Sequence, residues 1–295
     1  MNHGPSYPTL QPRIACVTSA RLPELGEDDQ PLLPALAERG LDARPVVWND
    51  PEADWASYDA VVVRSPWDYP TQAEAFIDWY EKTSAVTELH NSLDVVRANQ
   101  HKGYLGTLWE RGVPAIPTAT VGSPTEALAV ARRHGWEQSV IKPAVGLGGR
   151  NVALLTPERA AELEESGMAT QWCVQQFMPS IRTEGELSLV YVNGEASHAI
   201  LKHPGDSDIR VHEGHGGRHA PYRVTDELRE IGDQVLTACD ASNELFARVD
   251  VVRDESGQLR LMELDVTSPC LYFLYCPSSV DVFADAVAAR VHGDR

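Results

Sequence analysis

Positive charge is what this chain lacks most. It has 25 Lys and Arg against 43 Asp and Glu, a formal net charge of −18 and a pI near 4.9. So acidic a surface repels phosphate backbones and anionic headgroups, which argues against nucleic acid or a membrane surface as a partner. Cysteine is scarce too: Cys16, Cys173, Cys239, Cys270 and Cys276 make an odd set of five, with no C-x-x-C spacing. They read as reduced thiols of a cytoplasmic protein, several of them core fillers. No apolar run approaches the ~20 residues of a spanning helix. The start, Met1–Pro8, has neither a basic nor an apolar signal segment, and residues 1–12 read as a flexible tail. There is no G-x-x-x-x-G-K-[ST] loop, no G-x-S-x-G and no convincing Ser/His/Asp set. Internal repeats and low-complexity tracts are absent, and an apolar share of 43% excludes wholesale disorder.

What is present alternates. Arg13–Thr18, Pro45–Trp48 and Asp59–Arg64 read as strands, the last most clearly, because consecutive β-branched residues suit a strand covered on both faces. Helical spacing at Leu32, Leu33, Leu36 and Ala37, and a helix near Thr71–Lys82, separate them. Strand–helix alternation predicts a parallel sheet with ligands at its carboxyl ends. That puts Ser19–Leu25 and Ser65–Pro70 on one rim. Beyond residue 90 the texture changes: a helical stretch over Leu93–Arg111 that includes Lys102, then strands, helices and an Asn193-Gly194 hairpin turn. The layout predicts an α/β lobe at 13–90, a central lobe at 91–175 and an antiparallel-rich lobe at 176–295.

Five groups of residues bear on chemistry. Lys142 ends a strand and leads into Gly146, Gly148 and Gly149. Glycines let backbone N–H groups approach phosphate oxygens, and the lysine adds a point charge; an ordinary flexible hairpin is the competing reading. Arg248 and Asp250 precede Glu263 and Asp265 on two strands joined by a turn, with the polar residues two apart and so on one face. Pairing brings Asp250 near Glu263 and Asp265, and three carboxylates among apolar neighbours need a cation such as Mg²⁺ between them. The competing reading is a solvated edge hairpin. Gln175, Gln176, Phe177 and Met178 form a connector suited to an adenine, or simply an inter-lobe strand. Lys102, Lys202 and Arg210 are scattered basic residues in a chain short of positive charge, the last two following a hairpin; surface solvation is the competing reading. His212 and His215 have a spacing open to zinc, but the surrounding glycines point instead to a mobile loop closing over a site.

Taken in order, these features resemble the ATP-grasp superfamily of carboxylate–amine ligases over nearly the whole chain. The resemblance implies that the two later lobes clamp ATP. Lys102 and Lys142 would contact its phosphates, with the 146–149 loop folded over them. Residues 175–178 would frame the adenine, and Glu184 or Glu186 the ribose. Asp250, Glu263 and Asp265 would hold Mg²⁺, and Arg248, Arg210 and Lys202 would steady the transferring phosphoryl group. Family members often carry Glu where Gln175 stands and Asn where Asp265 stands.

Within the superfamily, Arg64-Ser-Pro-Trp-Asp-Tyr69, Glu184-Gly-Glu-Leu-Ser188 and Met262-Glu-Leu-Asp265 are similar to the group of O-ureido-serine cyclo-ligases. That likeness implies an amino-acid-like substrate, O-ureido-D-serine, cyclised to D-cycloserine. Arg21, Ser65, Trp67, Asp68, Tyr69, Thr267 and Ser268 would then be substrate contacts. A ligase joining a carboxylate to a separate amine, and a nucleotide-binding regulator without turnover, are the alternatives. A partner surface built on Trp48, Trp55, Trp67 and Trp79 is a further one. A homo-oligomer is left open.

Overall fold

The computed structural model describes residues 11–206 and 208–293, so most of the expected tail, residues 1–10, lies outside the described residues. The valine run Val61–Val63 sits where it must, in a sheet covered on both faces. β1 (Arg13–Thr18), α1 (Leu32–Glu38), β2 (Asp42–Val47), β3 (Ala60–Ser65), α2 (Ala73–Ser84) and β4 (Glu88–His90) build it, with four parallel strands ordered β2-β1-β3-β4. Alternate residues face opposite ways, as the period of two requires. Ile14, Cys16 and Val62 pack with Leu36 and with Phe283 of the C-terminal helix, whereas Ala15, Val17, Val61 and Val63 pack with Phe76 and Tyr80. β4, only three residues long, carries too little pattern to be legible in the sequence.

Histidine at the end of β4 makes stability pH-dependent. His90 is buried, and that burial, with Arg290 nearby, holds its imidazole down at about 4 from 6.5. The unfolded chain therefore binds a proton that the folded chain does not. Stability from this residue is complete above about pH 6.5 and falls as pH drops toward 4, by about 2 kcal/mol at pH 5. Urea unfolding at pH 7 and pH 5 should show this loss, and His90→Gln should flatten that part of the slope.

The stretch 93–111 does not form one helix. It divides into α3 (Leu93–Asn99) and α4 (Tyr104–Glu110), and Lys102 lies in the turn between them. The Lys102 amide donates to the Ala144 carbonyl at 2.8 Å, which ties this turn to the start of the glycine loop. Leu105 and Leu108 of α4 pack with Leu189, Val249 and Leu261 of the C-terminal sheet. The central antiparallel sheet follows. β5 (Thr118–Val121), α5 (Pro124–His134), β6 (Ser139–Pro143), β7 (Ala153–Leu154), α6 (Pro157–Ser166) and β8 (Trp172–Gln176) give the order β5-β8-β6-β7. α5 has a reciprocal cap: Ser123 Oγ accepts from the Glu126 amide at 3.2 Å, and the Glu126 carboxylate accepts from the Gly122 amide at 2.8 Å.

The last sheet has five strands, ordered β11-β10-β9-β12-β13. It comprises β9 (Glu186–Val192), β10 (Glu195–His203), β11 (Arg218–Tyr222), β12 (Phe246–Arg253) and β13 (Leu259–Asp265); α7 (Asp226–Ala238) and α8 (Ser278–His292) complete the element list. Asn193 and Gly194 join β9 to β10 with φ of 51° and 79°, the left-handed geometry that this turn needs. The glycine-rich stretch expected to be a mobile loop is partly a strand: β11 pairs with β10, setting His219 opposite Lys202. Leu189, Tyr191, Val249 and Val251 turn one face of the sheet to α7. On the other face Val190, Val192 and Phe246 join the core of the N-terminal sheet, while Glu186, Ser188, Arg248 and Asp250, further along the same strands, remain polar. Asn91 staples the lobes. Its amide donates to the Phe246 and Val266 carbonyls at 2.8 and 2.7 Å.

Candidate active site

The polar end of that face opens into a cleft enclosing about 990 Å³ between protein atoms, part of it open to solvent. Its floor comes from β12 and β13. Their register sets Arg248 opposite Asp265 and Asp250 opposite Glu263, as the spacing in the sequence predicts. Its roof is the glycine loop after β6, and its sides come from the Lys102 turn and the connector after β8. Lys102, Lys142, Gly146, Gly148, Gly149, Gln175, Gln176, Phe177, Met178, Glu186, Arg210, Arg248, Asp250, Glu263 and Asp265 all line it. Residues far apart in sequence thus share one cavity.

Charge in the cleft comes in opposed sets. Lys102 pairs with Glu263. Burial pulls both lysines down, but Glu263 beside Lys102 outweighs this and holds Lys102 above its ordinary value. Lys142, deeper and repelled by Lys102, stays below its own. Burial pushes the carboxyl of Asp265 up; Arg248 eases the shift and Glu263 adds to it. Glu263 is held low: burial opposes ionisation, but Lys102 and Lys142 overcome it. Two crowded ammonium groups thus face two crowded carboxylates. A phosphate chain relieves the first crowding and a divalent cation the second, so this donor set fits a Mg²⁺–nucleotide. Within the same lining Ile116, Phe177, Met178, Ile181 and Val211 form an apolar cluster with Met262 against it, a wall suited to a heterocyclic base.

The third expected metal ligand is differently engaged. Asp250 accepts from Arg248 Nε and Nη2 at 3.0–3.1 Å, from Ser188 and from Lys202 at 3.3 Å. Among the described residues no three His, Cys, Asp or Glu side chains gather into a ready-made metal cage, and the zinc reading of His212 and His215 has no support there. Lys202 lies behind the lining, paired with Glu186 and Asp250. Arg210 lines the cleft, forks onto Asp208 at 2.6–3.1 Å and leans on the Gly149 carbonyl.

Several residues have other partners than the sequence led us to expect. Glu184 points away from the cleft, 3.8 Å from Arg253. β9 begins only at Glu186, so strand alternation does not reach back to Glu184, and Gly185 at φ 84° reverses the chain between them. The Gln175 side chain does not present a free amide to a base. It accepts from Lys142 Nζ at 3.2 Å and donates to Thr118 at 2.8 Å, so it positions the lysine. On the substrate rim, Ser65 accepts from the Gly26 amide at 2.9 Å and Asp68 accepts from Trp48 Nε1 at 2.9 Å; both are scaffold contacts. Arg21 is exposed and outside the cleft lining. The remaining rim residues do converge. Trp67 Nε1 donates to the Ser268 carbonyl at 3.1 Å, and Tyr69 is buried beside Thr267, Asp265 and Glu263. Burial, then those two carboxylates, keep the Tyr69 phenol protonated.

Other contributors carry no local signal. Ile116 reaches the cleft because its amide docks on the Leu261 carbonyl at 3.0 Å, a contact spanning most of the two later lobes. Tyr272, at φ 59°, lays its ring about 6 Å from both Lys202 Nζ and the Arg248 guanidinium.

Comparison with known proteins gives the family. Residues 14–91 match the model of the D-cycloserine synthetase DcsG N-terminal domain, and residues 112–273 match that of the prokaryotic glutathione synthetase ATP-grasp domain. The cycloserine biosynthesis protein DcsG of Streptomyces lavendulae is 30% identical over 298 residues, covering 94% of this chain and 98% of that protein. The crystal structure of D-cycloserine synthetase DcsG superposes with a TM-score of 0.82 at 28% identity, over 95% of this chain and 99% of that one. The ATP-grasp ligase PsnB, solved with Mg and ADP, gives a TM-score of 0.68 at 19% identity, over 96% of this chain and 100% of that one, a likeness of fold alone. Opposed lysine and carboxylate pairs, a glycine roof and relatives along the whole chain lead to one conclusion: this is an ATP- and Mg²⁺-dependent carbon–nitrogen ligase that belongs to the ATP-grasp family, in the group of the D-cycloserine synthetase DcsG.

Proposed function

We propose that this ligase closes the ring of D-cycloserine from O-ureido-D-serine, with no second organic substrate. A carboxylate resists attack by nitrogen because its leaving group would be oxide. A carboxylate oxygen of the substrate therefore first takes the γ-phosphoryl group of ATP, releasing ADP and leaving an acylphosphate. The O-linked ureido nitrogen of the same molecule then attacks the acyl carbon, phosphate leaves and the nitrogen loses its proton; water then cleaves the carbamoyl group from that nitrogen as carbon dioxide and ammonia, leaving the five-membered ring. The protein's work is positioning and charge neutralisation, which explains why no side-chain nucleophile is needed.

Lys102, Lys142 and the amides of Gly146, Gly148 and Gly149 bind the phosphates in this reading. Gln176, Phe177 and Met178 hold the base and Glu186 lies nearest the ribose. Glu263 and Asp265, backed by Asp250, offer the oxygens for Mg²⁺, which when bound neutralises phosphate charge. Arg248, with Arg210, steadies the transferring group, and Lys202, behind the lining, supports it through Asp250 and Glu186. Tyr69, Trp67, Thr267 and Ser268 form the wall against which the small substrate lies, within reach of Asp265. The observation that carries this reading is that the opposed lysine and carboxylate groups share one cleft, with Tyr69 buried beside Asp265 and Glu263 at its edge.

Incubation with O-ureido-D-serine, ATP and Mg²⁺ should give the ring product and ADP in equal amounts without added amine. No ring and no ADP would end the proposal. ADP only when a separate amine is supplied would make the protein an intermolecular ligase.

A further inference from the structure

His212 lies on the segment between β10 and β11 and lines the nucleotide cleft. Its Nδ1 is buried and has no hydrogen-bond partner. Buried polar atoms without partners are uncommon and unfavourable, so an orphaned nitrogen in a binding cleft points to a ligand atom. The surrounding backbone fixes the ring. The His212 carbonyl accepts from the His215 and Gly217 amides at 2.9 and 3.1 Å, the Val211 carbonyl accepts from His219 Nε2 at 2.8 Å, and Tyr275 holds Glu213. Gly217 has no alternative, since a Cβ there would lie 2.0 Å from the Val211 carbonyl oxygen.

Where Nδ1 points is set by the glycine roof. A Cβ on Gly149 would come within 2.9 Å of it and within 3.3 Å of the Arg210 side chain. The nitrogen thus packs against Gly149 of the loop, out of solvent. Burial, then Lys202 and Arg248, hold the imidazole down at about 4. At neutral pH the ring is uncharged and has one N–H to give. Lys202 and Arg248 act on the ring more strongly than Glu263 and Asp250, which favours an anion here. The apolar wall that includes Phe177 and Met178 suits the base, which leaves the basic part of the cleft near Lys202 and Arg248 for the last phosphate.

We infer that His212 contacts phosphate: its Nδ1–H donates to an oxygen of the terminal phosphate that the 146–149 roof covers. This rests on the proposed phosphate site and is independent of the organic substrate's identity.

Equilibrium binding of AMPPNP and of ADP, each with Mg²⁺, tests it by calorimetry on the full chain without turnover. His212→Ala should weaken AMPPNP about tenfold or more and leave ADP nearly unchanged. His212→Asn places an amide nitrogen where Nδ1 sits and should restore AMPPNP affinity; His212→Gln, whose amide reaches the Nε2 position, should not. Unchanged AMPPNP affinity in His212→Ala, or an equal loss for ADP, overturns the inference. If the alanine variant fails to fold, the comparison of Asn with Gln decides, and equal affinities in those two overturn it as well. Lys142→Ala is the control for the site: it should weaken both nucleotides, and if it weakens neither, the phosphate site is misplaced and this inference falls with it.

Discussion

Glu263→Gln should lower kcat by about a hundredfold to a thousandfold while leaving the fold intact. Glu263 stands at the centre of the cleft, paired with Lys102 and opposite Asp250 on the neighbouring strand. Its carboxylate is kept ionised by two lysines despite burial. The amide keeps the shape and an oxygen but not the charge, so the cation loses an anionic ligand and the two lysines lose their shared counter-ion. Steady-state ADP release, with circular dichroism as the fold control, checks this. Asp265→Asn should be far milder, within about tenfold, because an oxygen ligand remains and the ion pair of Lys102 is with Glu263, whereas Asp265 lies by Arg248. If Glu263→Gln retains wild-type turnover, the carboxylate pair is not where the cation acts.

Arg64→Met should destabilise the protein by about 3–5 kcal/mol, read by urea unfolding. Arg64 is wholly buried at the end of β3. Its guanidinium donates to Asp29 at 2.9 and 3.0 Å and to the Pro269 carbonyl at 2.9 Å, and lies 5.0 Å from the Phe246 ring and 5.5 Å from that of Phe283. Removing it strands Asp29, which is 1% exposed, without its cation. Arg64→Met combined with Asp29→Leu should recover much of the loss, since the isolated buried charge is what costs most. The single variant should also raise KM for the organic substrate, because Arg64 joins the strand that delivers Tyr69 to the segment that delivers Thr267. A loss below about 1 kcal/mol would mean that water reaches Asp29.

Local pattern made much of this legible. Val61–Val63 marks β3, Ser123-Pro-Thr-Glu126 marks the start of α5, and Asn193-Gly194 marks the hairpin. The spacing of Asp250 and Glu263 places them opposite each other, because strand periodicity and one short turn suffice to fix it. What was not legible depends on partners distant in sequence. Ser65 and Asp68 have the right chemistry for a substrate rim, yet Gly26 and Trp48, from the loop after β1 and the end of β2, use their polar groups. Lys102 reads as helical, and only the contact with Ala144 shows why a turn presents it. Gln175 falls within an adenine-like connector, but strand pairing aims it at Lys142 and Thr118. β11 is an exposed edge strand containing Pro221 and preceded by glycines, so composition alone reads as loop.

A crystal structure with AMPPNP and Mn²⁺ tests the central claim most directly, because the anomalous signal of manganese locates the cation independently of the nucleotide. The triphosphate should lie under the 146–149 roof against Lys102 and Lys142, with a manganese peak at roughly 2.2 Å from oxygens of Glu263 and Asp265. A nucleotide bound outside this cleft, or a cation held by neither carboxylate, would contradict the account.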